Sequence, residues 1–220
     1  MPRTRTIAAA CIALLAASGW LHAKKNGSNI LQQLPQGSVT VEGLTPATPK
    51  QKCENWLWAA EVETILTAQK INLPQTYWVQ QANLGEVCVD APVDLESLSS
   101  LIDRDYQLED GSKFHLTAVR TIGAPTDMGH IISSLRQGRP FILLWKGHPL
   151  LVTGMIYDEY GYPNGQRMYE VRQIDMLDLL YPEGDERRTR SFVKGTDNMD
   201  EIGGALEVVA SPVDHFRQDR

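Results

Sequence analysis

Helical spacing and strand alternation occupy different parts of this chain, and that segregation limits its fold more than any other feature. Residues 54–71 repeat apolar side chains at helical intervals, with Leu57, Ala60, Ile65 and Ala68 joined by Trp58, Val62 and Leu66. The result is a broad apolar face that Pro74 terminates. From Tyr106 onward most apolar runs are short, alternate, and are bounded by turn residues. Helices followed by strands, instead of strictly alternating βαβ units, predict an α+β fold in which a central N-terminal helix packs against an antiparallel β-sheet.

The remaining elements follow from local signals. Residues 75–82, carrying Tyr77 and Trp78, form a short helix, and 94–102 form another with Asp94 as N-cap. Asp110-Gly111 is a turn pair between strands at 106–108 and 113–121. A helix over 126–137 stops at Gly138, and strands follow at 141–145, 150–157, 167–174 and 205–210. Residues 24–50 are turn-rich, with Gly27, Pro35, Gly37, Pro46 and Pro49, and read as a linker with one short strand at 38–42. Residues 211–220 read as a polar tail.

Composition sets the class. A chain of 220 residues, 42% hydrophobic and 22% charged, can bury one good core, so one domain is expected over 51–210. Residues 1–23 have the form of a secretory signal: Arg3 and Arg5 precede an apolar run over 7–17 that Gly19 ends, with cleavage after Ala23. Secretion or export to a periplasm is therefore expected, the alternative being an anchor formed by the uncleaved signal. The run is too short to span a bilayer, so no stable membrane insertion is expected after cleavage. Loss of Arg3 and Arg5 from 21 basic residues leaves 19 against 27 acidic ones, a formal −8, which argues against a nucleic-acid partner. The histidines and cysteines show neither H-x-x-x-H nor C-x-x-C spacing and there is no phosphate-cradling glycine loop, so no metal and no cofactor are expected.

The segment Gln51-Lys52-Cys53-Glu54-Asn55-Trp56-Leu57-Trp58-Ala59-Ala60 resembles the active-site helix start of papain-like cysteine peptidases, Q-x5-C-W-A-[AF]. Leu57 stands in the nucleophile position. Downstream, Gly147-His148-Pro149 runs into Leu150-Leu151-Val152-Thr153-Gly154, which resembles the strand carrying the base histidine in bacterial members. Asp175, at the end of a further strand, occupies the place where the compact branch that includes bacteriocin-leader peptidases carries the acid that orients the histidine, although Met176 follows it where the family has proline. Asp178 lies one turn further on. The resemblance covers residues 50–180.

What the resemblance implies is a vestigial catalytic set of Gln51, His148 and Asp175 around an aliphatic side chain. In such enzymes the Gln side chain and the nucleophile's N–H hold the oxyanion, and a thiolate is stabilised at a helix N-terminus by a histidinium. Leucine offers neither a lone pair nor an acidic proton. The implied function is a pseudopeptidase, not an enzyme, that binds a peptide or protein segment. The alternatives are an active cysteine peptidase using Cys53, or residual hydrolysis through His148 and Asp175. Signal removal leaves Cys53 and Cys88 in an oxidising compartment, and the family often bridges a cysteine at this spacing before the nucleophile, which implies a disulfide; two free thiols are the alternative. Trp56 and Trp58 are read as packing and cleft-lining aromatics. His130 and His115 are read as helix-face and strand-face residues outside the set.

Overall fold

The computed structural model describes residues 31–44, 46, 54–82, 94–108 and 110–213. Gln51, Cys53, Cys88 and the signal segment lie outside the described residues, as does the tail from 214. The described part is α+β, with four α-helices and a large antiparallel sheet. The helices are α1 (Leu57–Ala68), α2 (Gln75–Gln81), α3 (Leu95–Ile102) and α4 (Met128–Arg136). The strands are β1 (Gln32–Gln33), β2 (Gly37–Thr40), β3 (Arg104–Gln107), β4 (Lys113–Ile122), β5 (Phe141–Trp145), β6 (His148–Gly161), β7 (Arg167–Leu177), β8 (Thr189–Val193) and β9 (Ile202–Pro212). Their order is β3-β4-β9-β5-β6-β7-β8.

β6 organises the sheet. Along one edge it pairs with β7. The other edge is shared: β5 takes 148–152, β2 takes 154–157, and β1 takes Tyr160 and Gly161. Residues 32–41, read from sequence as linker with one strand, are therefore part of the sheet, and Val39 and Val41 are buried. Gly37 is required where β2 passes over Tyr157, because a Cβ there would lie 2.4 Å from the ring. The polar character of this stretch reflects its exposed alternate positions.

The sheet has an apolar layer on each face. On one, α1, α2 and α3 pack with Leu116, Ile142, Leu151, Leu206 and Val208. On the other, Ile131, Ile132 and Leu135 of α4 pack with Phe141, Leu143, Leu150 and Val152. Strand alternation produces this division: Ile142 pairs with Leu151 on the α1 face, and Leu143 with Leu150 on the α4 face.

A 3-10 turn at Glu54–Trp56 leads into α1, and Leu57 is its first residue. At the other end, Ile71 N–H donates to Leu66 O and Lys70 N–H to Thr67 O, both at 2.9 Å, with Lys70 left-handed at φ 65°. This pattern closes the helix at Ala68, three residues before the periodicity ends. Asp94 caps α3 by accepting from Ser97 N–H at 2.8 Å. Asp127 caps α4 in the same way, accepting from His130 N–H at 2.9 Å. Among the described residues no helix is long and apolar enough to cross a membrane.

Candidate functional site

β5 and β6 are joined by two residues, Lys146 and Gly147, at φ 54° and 77°. Paired left-handed residues match the twist of a tight hairpin, and Gly147 takes its place without a Cβ penalty. Lys146 N–H donates to Glu201 O at 2.9 Å. Its ammonium lies 3.3 Å from the Glu201 carboxylate and 4.7 Å from the centre of the Trp145 ring. These contacts fix the tip, and His148 is the first residue after it.

His148 Nε2 lies 3.1 Å from Asp178 Oδ2. The approach is off the ring N–H direction, so the contact is an ion-pair geometry rather than a straight hydrogen bond. The imidazole is 37% exposed and the carboxylate 1%. Asp178 follows the last residue of β7. There its backbone N–H donates to Arg188 O at 2.7 Å, and the side chain folds inward to accept from Leu180 N–H at 3.2 Å. Arg190 reaches the same Oδ2 with Nε and a terminal nitrogen, each at 3.1 Å. The buried carboxylate is therefore held by a guanidinium, a backbone N–H and the histidine.

Asp175 is elsewhere. Its carboxylate accepts from Gln173 Nε2 at 2.6 Å and Ser191 Oγ at 2.9 Å. The acid brought to His148 is Asp178, because β7 pairs Asp175 with Gly154, six residues along β6 from His148, and the chain reaches the hairpin end only beyond Leu177, which pairs with Leu151. Leu57 is buried at the start of α1 beside Trp56 and Trp58, which are buried too. His115 pairs with Asp105 at 2.9 Å, and His130 with Glu207 at 3.0 Å, both away from the hairpin tip.

The hairpin tip separates two clefts. Alternation puts Trp145 and His148 on one side, with Leu150, Asp178, Tyr181 and Arg190 around a space of about 380 Å³. Gly147 and Pro149, the neighbours of His148, face the other, a space of about 570 Å³ that they share with Trp58, the neighbour of Leu57. Leu98, Ile142 and Leu144 add apolar wall, and Asp94, Glu96, Arg120 and Ile122 stand around it. Arg120 is paired with Glu96 at 3.1 Å.

Glu61, one turn beyond Leu57 on α1, lines this second cleft and has no exposed surface. Neither of its carboxyl oxygens has a hydrogen-bond partner among the described residues, nor has the indole N–H of Trp58. Burial, reinforced by the negative charge of Asp178, raises the Glu61 pKa well above the usual carboxylate range. Its sequence signal was available: Glu61 falls between Leu57 and Ile65 at i and i+4 on the apolar stripe.

No protein-family model matches the chain, and no curated protein or solved structure matches it.

Proposed function

We propose that this chain is a papain-like pseudopeptidase, a domain that holds an extended peptide or protein segment against the α1 start and the β5–β6 hairpin without cleaving it. The observation that carries the reading is a pairing of retained and lost chemistry. A half-exposed imidazole backed by the buried Asp178 carboxylate stands at the hairpin tip, while the first residue of α1 is the hydrocarbon Leu57. Pro149 and Trp58, the neighbours of His148 and Leu57, line one cleft, which ties the hairpin tip to the helix start. Asp178 takes the histidine-orienting role that the sequence pointed to at Asp175. A carboxylate beside an imidazole is an arrangement that a thiolate partner would use and an aliphatic side chain does not.

Restoring the nucleophile tests this. Leu57→Cys places a sulfur at a helix N-terminus, where the dipole lowers a thiol pKa below its free value of about 8.5, and the reading requires His148 to add to that effect. The variant is expected to react with iodoacetamide at neutral pH faster than an ordinary thiol, above the background set by Cys53 and Cys88 in the parent. Adding His148→Ala should remove that excess. Equal labelling of the single and double variants, both folded by circular dichroism, would show that His148 does not serve this position.

A further inference from the structure

The α1-side cleft combines three properties that ordinary core packing does not produce together. Its wall is apolar, from Trp58, Leu98, Ile142 and Pro149. Its interior carries a carboxyl group with no exposed surface and no hydrogen-bond partner among the described residues, alongside an unpartnered indole N–H. Its surroundings are acidic among the described residues: Asp94 and Glu96 face it against one cation, Arg120, which Glu96 already engages. A buried polar group without a partner costs on the order of 1–3 kcal/mol, so a side chain kept in that state is explained if a ligand completes it. Ile122, 79% exposed at the edge of the same cleft, adds apolar surface that an occupant would cover.

We propose that this cleft is a specificity pocket for a basic side chain, a lysine or arginine of the bound segment, whose aliphatic stem lies along the apolar wall and whose cationic head meets Glu61. The proposal rests on the peptide-binding reading above and deepens it. Charge and shape select this occupant. An aliphatic residue would leave Glu61 unsatisfied, and an acidic one would meet Glu61, Asp94 and Glu96, with Asp178 behind. Lysine and arginine place a hydrocarbon stem on apolar surface and donors at its end. Because Glu61 is held neutral in the empty cleft by burial and Asp178, entry of a cation favours its ionisation, and binding releases a proton.

The test uses the full chain after signal removal and three probes with the same butyl stem: n-butylamine, butylguanidine and n-butanol, followed through the indole N–H signals in nuclear magnetic resonance. The cationic probes are expected to bind at least tenfold more tightly than the alcohol and to perturb the Trp58 signal, and Glu61→Gln should erase that preference. Calorimetry of the wild type in two buffers of different ionisation enthalpy should detect proton release, a readout that needs no variant. Equal binding of amine and alcohol, or a cation preference that survives in Glu61→Gln, overturns the pocket. Pools of capped heptapeptides with and without lysine and arginine separate the two ideas. Binding indifferent to those residues overturns the pocket and leaves peptide binding standing, whereas Glu61-dependent amine binding with no peptide bound supports the pocket and removes the peptide reading.

Discussion

A carboxylic acid on the apolar stripe of a helix must either ionise against a partner or stay protonated, and Glu61 takes the second course. The thermodynamic sign follows. The unfolded chain releases this proton near the ordinary glutamate value, while the folded chain keeps it, so above that pH the folded state binds more protons and stability falls as pH rises. The loss runs at about 1.4 kcal/mol per pH unit until Glu61 ionises in the folded protein. Glu61→Gln removes this contribution. Thermal unfolding from pH 4 to 8 should therefore show the variant gaining on the wild type as pH rises, and parallel curves would mean that Glu61 is ionised and paired in the native state. Glu61 was visible in the sequence as an acid out of place on a stripe. The choice between Asp175 and Asp178 was not, because three residues at a strand end can be separated only by knowing where the ladder stops. Asp178 becomes the histidine's partner through a turn closed by Leu180 N–H and Arg188 O, neither of which has a sequence signature of its own.

Helices were the easier elements to locate, because capping chemistry marks their ends. Asp94 was recognisable as the cap of α3, and the spacing of Leu57 to Ala68 located α1. The end of α1 was less legible: Lys70 holds a left-handed position where glycine is the usual choice, and Pro74 offered a later stop. That conformation costs a residue with a Cβ about 1–2 kcal/mol, partly offset in glycine by its larger unfolded-state entropy. Lys70→Gly should accordingly stabilise the protein by about 0.5–1 kcal/mol in urea unfolding; a loss would mean that the lysine side chain has a contact outweighing its backbone strain. Strands were legible where alternation is strong, as in β4, or where a short apolar run is bounded by turn residues, as in β5. They were missed where it is weak: β8 is a charged edge strand, Thr189–Val193, with Phe192 its one buried side chain, and β1 is two exposed glutamines. Sequence periodicity records burial, and an edge strand that buries one residue leaves almost no record.

At the scale of the molecule, one antiparallel sheet carries an apolar layer on each face, and the candidate site sits where the hairpin tip meets the start of α1. The arrangement depends on β6, whose free edge beyond β5 is covered by β2 and β1 from the segment that sequence composition assigned to a linker. Val41 N–H donates to Thr153 O and Leu34 N–H to Glu159 O, both at 2.8 Å, so the covering strands are hydrogen-bonded along the length of that edge. A chain beginning at residue 42 should lose these bonds together with the buried Val39 and Val41, unfold at a lower temperature than a chain beginning at residue 31, and form larger species in light scattering. Equal melting and equal size for the two would mean that β2 contributes little to the fold. The short alternating stretch from Ser38 to Val41 completes the ladder from within the same chain, and nothing in a backbone ladder distinguishes its own strand from an identical one. At high concentration β6 therefore has a second donor for the same seat, and strand exchange between molecules becomes a route to assembly that leaves every hydrogen bond of the sheet in place.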